Sequence, residues 1–248
     1  MSNEIVQYEV NENIATITLN RPEVKNALNE AMHEALFTAF DQANLDDNVH
    51  VIVLQGSGDS FCAGADLKSI PLDKLEQFDY GHYLRETYNR LILQMVNIQK
   101  PIVAYINGIA VGAGLSIALA CDYRVAAYDA RLGLGFLKIG LVPDAGASYF
   151  LPRLIGFGKA MELALGDPIA AEEAYRINLI NKIGSPDELV NQLLHTPLEA
   201  FGLMKQTFRD SFEHSLAEVL EMEVATQRQA GETKEHRAAI EKFVKKSP

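Results

Sequence analysis

Residues Pro101 to Asp122, PIVAYINGIAVGAGLSIALACD, pass from a short β-branched apolar stretch through a glycine and alanine tract directly into an apolar helix. Side-chain chemistry is nearly absent from this tract, so what it offers is backbone. The first turn of a helix carries unpaired N–H groups and the positive end of the helix dipole, which together suit a negatively charged oxygen or phosphate. An anion-stabilising site is therefore expected here. Gly108, Gly112 and Gly114 fit neither the G-x-G-x-x-G dinucleotide pattern nor a glycine loop ending in Gly-Lys-Ser/Thr, so a nucleotide phosphate is not the first choice.

Strands and helices alternate on both sides of this tract. Ile14 to Leu19 alternates as a half-buried strand, and Asn29 is placed to cap a helix whose apolar face holds Met32, Leu36, Phe40 and Ala43. Val49 to Leu54 reads as a buried strand ending in a small-residue loop, GSGDSFCAGADL, a second source of backbone donors. From Ile70 to Gln99 a charged stretch with Tyr80, Tyr83 and Tyr88 leads into a helix that turns Leu91, Ile92, Met95 and Val96 inward, and the first half has the make-up of a mobile lid. Pro101 to Ile106 and Tyr123 to Ala127 are further strands, followed by a short apolar piece at Arg131 to Phe136. Such alternation implies crossover units of an α/β fold. After Pro143 short helices are expected at Ala145 to Ile155, Gly158 to Leu165 and Ala170 to Tyr175, with a last strand at Leu179 to Ile183. A helical region covers 186–248, beyond a core at 1–185.

Composition narrows the function classes. With 248 residues, 48% of them hydrophobic, the chain has ample core material, and a formal charge of −11 argues against a nucleic-acid surface. Cys62 and Cys121 lie in unrelated contexts and read as reduced, small hydrophobes, not as a disulfide or metal pair. The six histidines are scattered, with no spacing that puts two ligands on one helical face, so no metal site is expected. The first residues lack a signal-peptide pattern and no apolar run is long enough to span a bilayer, which makes a cytoplasmic soluble protein the default.

Two polar residues stand out near apolar surroundings. Ser116, inside the glycine-rich helix start, has no neighbouring base and reads as a helix-interior hydroxyl bonded to the backbone. Asp144 lies in LGLGFLKIGLVPDAGASYFLPRLIG, where ionisable company is sparse, with Lys138 before it and Arg153 after it. Loss of hydration there raises a carboxyl pKa and makes an effective proton carrier. Asp followed by Ala-Gly-Ala-Ser is equally a helix N-cap sequence, and on residue chemistry alone capping is the commoner role.

Four ordered blocks, LNRPEVKNALN (Leu19 to Asn29), FCAGADL (Phe61 to Leu67), NGIAVGAGLSIALACDYRVAA (Asn107 to Ala127) and GLVPDAGASYFLPRLIG (Gly140 to Gly156), closely resemble the crotonase, or enoyl-CoA hydratase/isomerase, family. The resemblance spans nearly the whole chain. It implies a spiral of ββα units with a C-terminal helical region that builds trimers or hexamers, and a coenzyme A thioester as substrate, with no separate cofactor. It also implies that the Ala65 and Ala113 amides form an oxyanion hole for the thioester oxygen, where each preorganised donor lowers an enolate barrier by roughly 3–4 kcal/mol. Lys25, Ala27, Ala63, Asp66 and Leu67 would then contact coenzyme A, with Phe243 and Lys246 reaching it from a neighbouring subunit. Leu115, Phe136, Leu137 and Leu141 would wall the acyl pocket.

The departures from that pattern carry the functional expectation. Hydratases of the family hold and activate water with two glutamates, at positions that here are Ser116 and Phe136. Without either carboxylate, water is not deprotonated in the usual way. Asp144 instead falls where some isomerases of the family place a catalytic Asp, including the branch that isomerises ring epoxides of aryl acyl-CoA to oxepins and shifts enoyl-CoA double bonds. The expected reaction is thus proton transfer through a thioester enolate with Asp144 as the shuttle. The rivals are hydration by a compensating carboxylate, decarboxylation, dehalogenation, or a non-catalytic acyl-CoA-binding or RNA-associated role, the last disfavoured by net acidity.

Overall fold

The computed structural model describes residues 4–69 and 76–246. The chain opens with a hairpin, β1 (Val6–Asn11) and β2 (Ile14–Leu19), paired antiparallel from Val6 opposite Leu19 to Asn11 opposite Ile14. Glu12 and Asn13 take φ of 47° and 67°, the left-handed pair that a two-residue hairpin turn requires. Strand β1 has no counterpart in the sequence reading, although VQYEV alternates as β2 does. Asn29 caps α1 (Glu30–Leu45) by accepting from the Met32 amide, and Met32, Leu36, Phe40 and Ala43 are all buried as expected.

Three ββα turns follow. Each sends its first strand to a large sheet and its second to a small one: β3 (Val51–Gly56) and β4 (Ser60–Cys62), β5 (Ile102–Ile106) and β6 (Ile109–Val111), β7 (Tyr123–Ala126) and β8 (Arg131–Gly133). The large sheet runs β1-β2-β3-β5-β7-β10, with β10 at Lys182–Ile183, and is parallel from β2 onward, while β4, β6 and β8 are parallel and β9 (Ile169–Ala170) closes the small sheet antiparallel. The glycine-rich tract thus departs from the expected single strand feeding a helix. At Asn107-Gly108 the chain leaves the large sheet for β6 before α4 (Ala113–Ala120) begins. Asn107 fastens this switch by accepting from the Gly56 amide (3.0 Å) and donating to Gly58 O (3.1 Å). A Cβ on Gly108 would lie 2.0 Å from Asp59 O, so only glycine fits there.

The helix expected after Ile70 forms as α2 (Tyr80–Leu84), a π turn (Arg85–Asn89) and α3 (Arg90–Asn97) in continuous succession. Of the expected lid, Ile70 to Leu75 lies outside the described residues. The part that follows is packed rather than loose: Phe78 sits 4.8 Å from Tyr80 and 5.5 Å from Tyr83 between ring centres, and Tyr88 is buried.

Beyond β8, α5 (Ala147–Leu165) breaks at Gly156, whose φ of 76° and ψ of 157° divide it into the two helices that the sequence implies. Then come β9 (Ile169–Ala170), α6 (Ala171–Arg176) and β10 (Lys182–Ile183). The helices after Pro186 are α7 (Asp187–Leu194), α8 (Leu198–Asp210), α9 (Leu216–Gly231) and α10 (Lys234–Lys246).

Period-two alternation in β3 and β5 explains how both sheet faces are filled. Ile52, Leu54, Ile102, Ala104 and Ile106 point into the main core with α1, α3 and α4, whereas Val51, Val53 and Val103 meet Val190 and Leu193 of α7 and Phe201 of α8. Each buried Val, Ile, Leu or Phe among them contributes about 1.5–3 kcal/mol by leaving water. By contrast, α9 has no buried residue, and Leu216, Leu220, Val224, Ile240 and Phe243 of α9 and α10 are exposed. No helix among the described residues is long and apolar enough to cross a membrane.

Candidate active site

Two loops from different ββα turns are joined backbone to backbone. The Ala63 amide donates to Lys25 O (2.9 Å), the Leu28 amide to Gly64 O (2.8 Å) and the Asp66 amide to Leu28 O (2.8 Å), which forms a short parallel bridge between 25–28 and 63–66. Arg21 locks the pair, with one guanidinium nitrogen on Ala27 O (2.7 Å) and another on Asp66 Oδ2 (2.9 Å). Fully buried Asn26 fastens it from below, accepting from the Arg21 amide and donating to Ser57 O and Ser60 O. Sequence reasoning gave no role to Arg21 or Asn26, although both lie within the LNRPEVKNALN block.

This register leaves Ala65 with its N–H outside the bridge. Among the described residues the Ala65 amide donates to nothing, and the Ala113 amide, first in α4 and past the reach of its own helix, is likewise unspent. The two loops touch. A Cβ built on Gly64 would come within 3.5 Å of Ala113 N and 2.8 Å of Val111 O, and one on Gly114 would fall 2.3 Å from Cys62 O. Gly64 and Gly112 hold φ of 94° and 58°, conformations that side-chain-bearing residues rarely adopt. Such contacts require residues without Cβ atoms, which is the physical reason for the small-residue tract. What results is a pair of unpaired amides on adjoining loops, the arrangement that stabilises a developing oxyanion.

Asp144 comes from a turn after the 3-10 segment Phe136–Ile139. The capping alternative fails. The N-cap of α5 is Gly146, with no side-chain hydrogen bond, and the Ala147 amide is taken by the main-chain carbonyl of Asp144 (2.9 Å). Ala145 and Gly146 are both left-handed, with φ of 49° and 82°, and for a buried alanine that is a strained choice. Its effect is to free the carboxyl from the helix end. Asp144 Oδ1 is buried with no hydrogen-bond partner among the described residues, and burial raises the carboxyl pKa to about 6. Neither neighbouring cation in the sequence neutralises it, since Lys138 pairs with Asp167, and Arg153 pairs with Glu213 and stacks 3.7 Å over Tyr149.

The Asp144 turn leans on α3, where a Cβ on Gly146 would lie 3.4 Å from Ile92 Cγ2. Beside it is the buried Tyr88, whose phenol is held above its usual pKa first by burial and then by the charges of Tyr83, Asp144 and Cys62. Tyr88 therefore lies within electrostatic reach of both the Asp144 turn and the Cys62–Ala65 loop. His33 of α1 packs edge-on against Tyr88, 4.2 Å between ring centres. Neither His33 nor Tyr88 was assigned a site role from sequence; their signal, polar rings on otherwise apolar helix faces, is visible only once the helices pack.

The remaining candidates divide by location. Leu115 of α4 and Phe136 are buried in the main core with Leu141 partly buried against it, and Phe136 Cζ lies 4.0 Å from a Cβ built on Gly112. Leu137 is half-exposed, so any wall it makes is at the rim. Ser116 Oγ donates to Gly112 O (3.2 Å), the backbone role expected of it. Lys25 is exposed and makes no ion pair among the described residues, and Leu67 is exposed in the turn Leu67–Ser69. Phe243 lies on α10, 74% exposed, and the side chain of Lys246 falls outside the described residues. Cys62 and Cys121 are buried free thiols, and no group of three or more His, Cys, Asp or Glu able to hold a metal ion occurs among the described residues.

Known proteins share this arrangement of chain. The sequence profile of the Enoyl-CoA hydratase/isomerase family matches residues 9–248. A 1,2-epoxyphenylacetyl-CoA isomerase from Escherichia coli is 34% identical over 255 residues, covering 99% of this chain and 97% of its own length. A crotonyl-CoA hydratase from Syntrophomonas wolfei is 37% identical over 196 residues, covering 78% and 74%. The crystal structure of an enoyl-CoA hydratase/isomerase from Cupriavidus metallidurans superposes with a TM-score of 0.90 at 32% identity, covering 100% of this chain and 96% of that one. With its ββα spiral, its paired amides and a match across nearly its full length, this chain belongs to the enoyl-CoA hydratase/isomerase, or crotonase, family.

Proposed function

We propose that this enzyme is an acyl-CoA isomerase that moves a double bond, or isomerises an epoxide or oxepin ring, by proton transfer through a thioester enolate. The observation that carries this reading is the half-buried Asp144 carboxyl, whose Oδ1 is buried without a partner among the described residues and whose pKa burial raises to about 6, which leaves it ionised yet basic near neutral pH. In the double-bond shift, the thioester oxygen accepts hydrogen bonds from the Ala65 and Ala113 amides. The Asp144 carboxylate takes a proton from the carbon next to the carbonyl, and the C–H electron pair moves into a dienolate whose negative charge rests on that oxygen. Asp144, now a carboxylic acid, returns the proton two carbons further along as the electrons flow back, so the double bond moves and the carboxylate is restored.

Hydration is disfavoured because the residues at the two glutamate positions cannot activate water. Ser116 spends its hydroxyl on Gly112 O and Phe136 is an apolar ring. For the coenzyme A portion, the exposed Lys25 and neighbouring Ala27 suit the pantetheine and phosphates, Ala63, Asp66 and Leu67 suit the adenine, and Phe243 with Lys246 of a neighbouring copy in a trimer or hexamer complete the contact. Side-by-side assays of 3-enoyl-CoA isomerisation and crotonyl-CoA hydration, with native protein and Asp144→Asn, test the reading. Isomerisation that vanishes in the variant supports it. Native protein that hydrates faster than it isomerises, or a variant that isomerises normally, overturns it.

A further inference from the structure

His33 and Tyr88 are each 2% exposed, yet both ring nitrogens of His33 and the Tyr88 hydroxyl lack a hydrogen-bond partner among the described residues. Asp144 Oδ1, on the turn beside Tyr88, is in the same condition. Buried polar atoms are nearly always paired, because an unpaired one forfeits its hydration for nothing in return. Three polar groups left open on adjoining side chains are a concentrated exception. Their rings meet edge to face at 4.2 Å and 75°, a geometry in which the polar edges do not satisfy one another.

Their place in the fold gives the exception a meaning. His33 lies one helical turn past Asn29, and Leu28 is bonded to Gly64 in the loop that presents the Ala65 amide. Tyr88 lies toward Asp144. The pair therefore stands between the loop of the Ala65 amide and the proton carrier, near both. Burial lowers the His33 pKa to about 4 and raises that of Tyr88, so both rings are neutral. A neutral imidazole offers one donor and one acceptor, and a phenol offers both, which matches an uncharged oxygen and gives nothing to a hydrocarbon.

We propose that His33 and Tyr88 form a hydrogen-bonding seat for an oxygen carried on the acyl group, so that the enzyme selects thioesters bearing a hydroxyl or ring oxygen over their hydrocarbon counterparts. This rests on the acyl-CoA reading above and adds which acyl groups it favours. A site built to bond an oxygen discriminates against the analogue lacking it, since the site's own polar groups are then stranded.

The test is calorimetric titration with two matched pairs of unreactive thioesters: phenylacetyl-CoA against 2-hydroxyphenylacetyl-CoA, and butyryl-CoA against 3-hydroxybutyryl-CoA. Native protein is expected to bind the oxygenated member of at least one pair about tenfold more tightly, and Tyr88→Phe to bring the two within about twofold while leaving hydrocarbon affinity unchanged. His33→Phe is expected to do the same, and if it does not fold, the isosteric Tyr88→Phe decides alone. Equal affinities in native protein, as when a fixed water fills the gap, overturn the seat but leave the acyl-CoA reading intact. A preference that survives Tyr88→Phe also overturns it. Failure of all four thioesters to bind overturns the acyl-CoA reading itself.

Discussion

Gly64 and Ala113 approach so closely that a methyl group on Gly64 would stand 3.5 Å from the Ala113 amide nitrogen. The same methyl would press to 2.8 Å on Val111 O in a backbone conformation of φ 94°. Gly64→Ala must therefore part the two loops that carry the unspent amides. We expect a fall in kcat of about 100-fold, the scale of losing one oxyanion donor, with acyl-CoA affinity changed far less. Steady-state kinetics beside calorimetric binding measures both.

Asp144→Asn keeps shape and removes the proton carrier. Isomerisation is expected to drop by about 10²–10⁴-fold, the range for a general base, with acyl-CoA binding retained. Stability should move the other way. Because burial raises the folded pKa to about 6 from an ordinary 3.8, the stabilising contribution of neutral Asp144 is complete below about pH 3.8 and is lost as pH rises through about 6. At pH 7.5 the variant should be more stable than native protein by about 1–2 kcal/mol, after allowing for partial exposure, and the gap should close by pH 4. Urea denaturation at both pH values checks this.

The rate itself should follow the same ionisation. With carboxylate as the active form, kcat/KM is expected to rise with pH around a midpoint of about 6 and then level off. His33, lowered to about 4, and Cys62, raised to about 12, do not titrate within that rise. A profile that falls across pH 5–7 would exclude an ionised Asp144 as the base.

Asn26→Ala would leave Ser57 O and Ser60 O without the donor, and the Arg21 amide without the acceptor, that the fully buried Asn26 side chain supplies. We expect a loss of about 2–3 kcal/mol in unfolding free energy. Thermal and chemical denaturation measure it.

Removing Lys242 to Pro248 tests the neighbour-subunit contact. Since Phe243 is 74% exposed in its own chain, its deletion should cost little stability, while coenzyme A affinity should weaken and lose part of its salt dependence. Unchanged affinity would make the tail a surface extension.

Much of this molecule is legible along the chain because the signals are local. Asn29 caps α1 through its neighbour Met32, and the alternation of Ile14 to Leu19 becomes β2 residue for residue. That backbone donors stand open at the start of α4 was also readable, since the first turn of any helix leaves amides unpaired. Less local features escaped. The switch of sheets at Asn107 depends on hydrogen bonds to Gly56 and Gly58, about fifty positions away, and along the chain β6 therefore reads only as part of the glycine and alanine tract.

Asp144 draws the line most clearly. Its apolar neighbours pointed to a raised pKa, but the same residues spelled a helix cap, and nothing in the order of side chains separates the two. The choice was made by the left-handed Ala145 and Gly146 and by α3 packed beneath them, which turn the carboxyl inward. His33 and Tyr88 are more extreme, fifty-five positions apart and meaningful only as touching rings. Local order along the chain sets which elements form and which faces are apolar, because those follow from backbone propensity and periodicity. Which polar groups end up buried, unpaired and aimed at one another is settled by packing, because burial is a property of the neighbours and not of the residue.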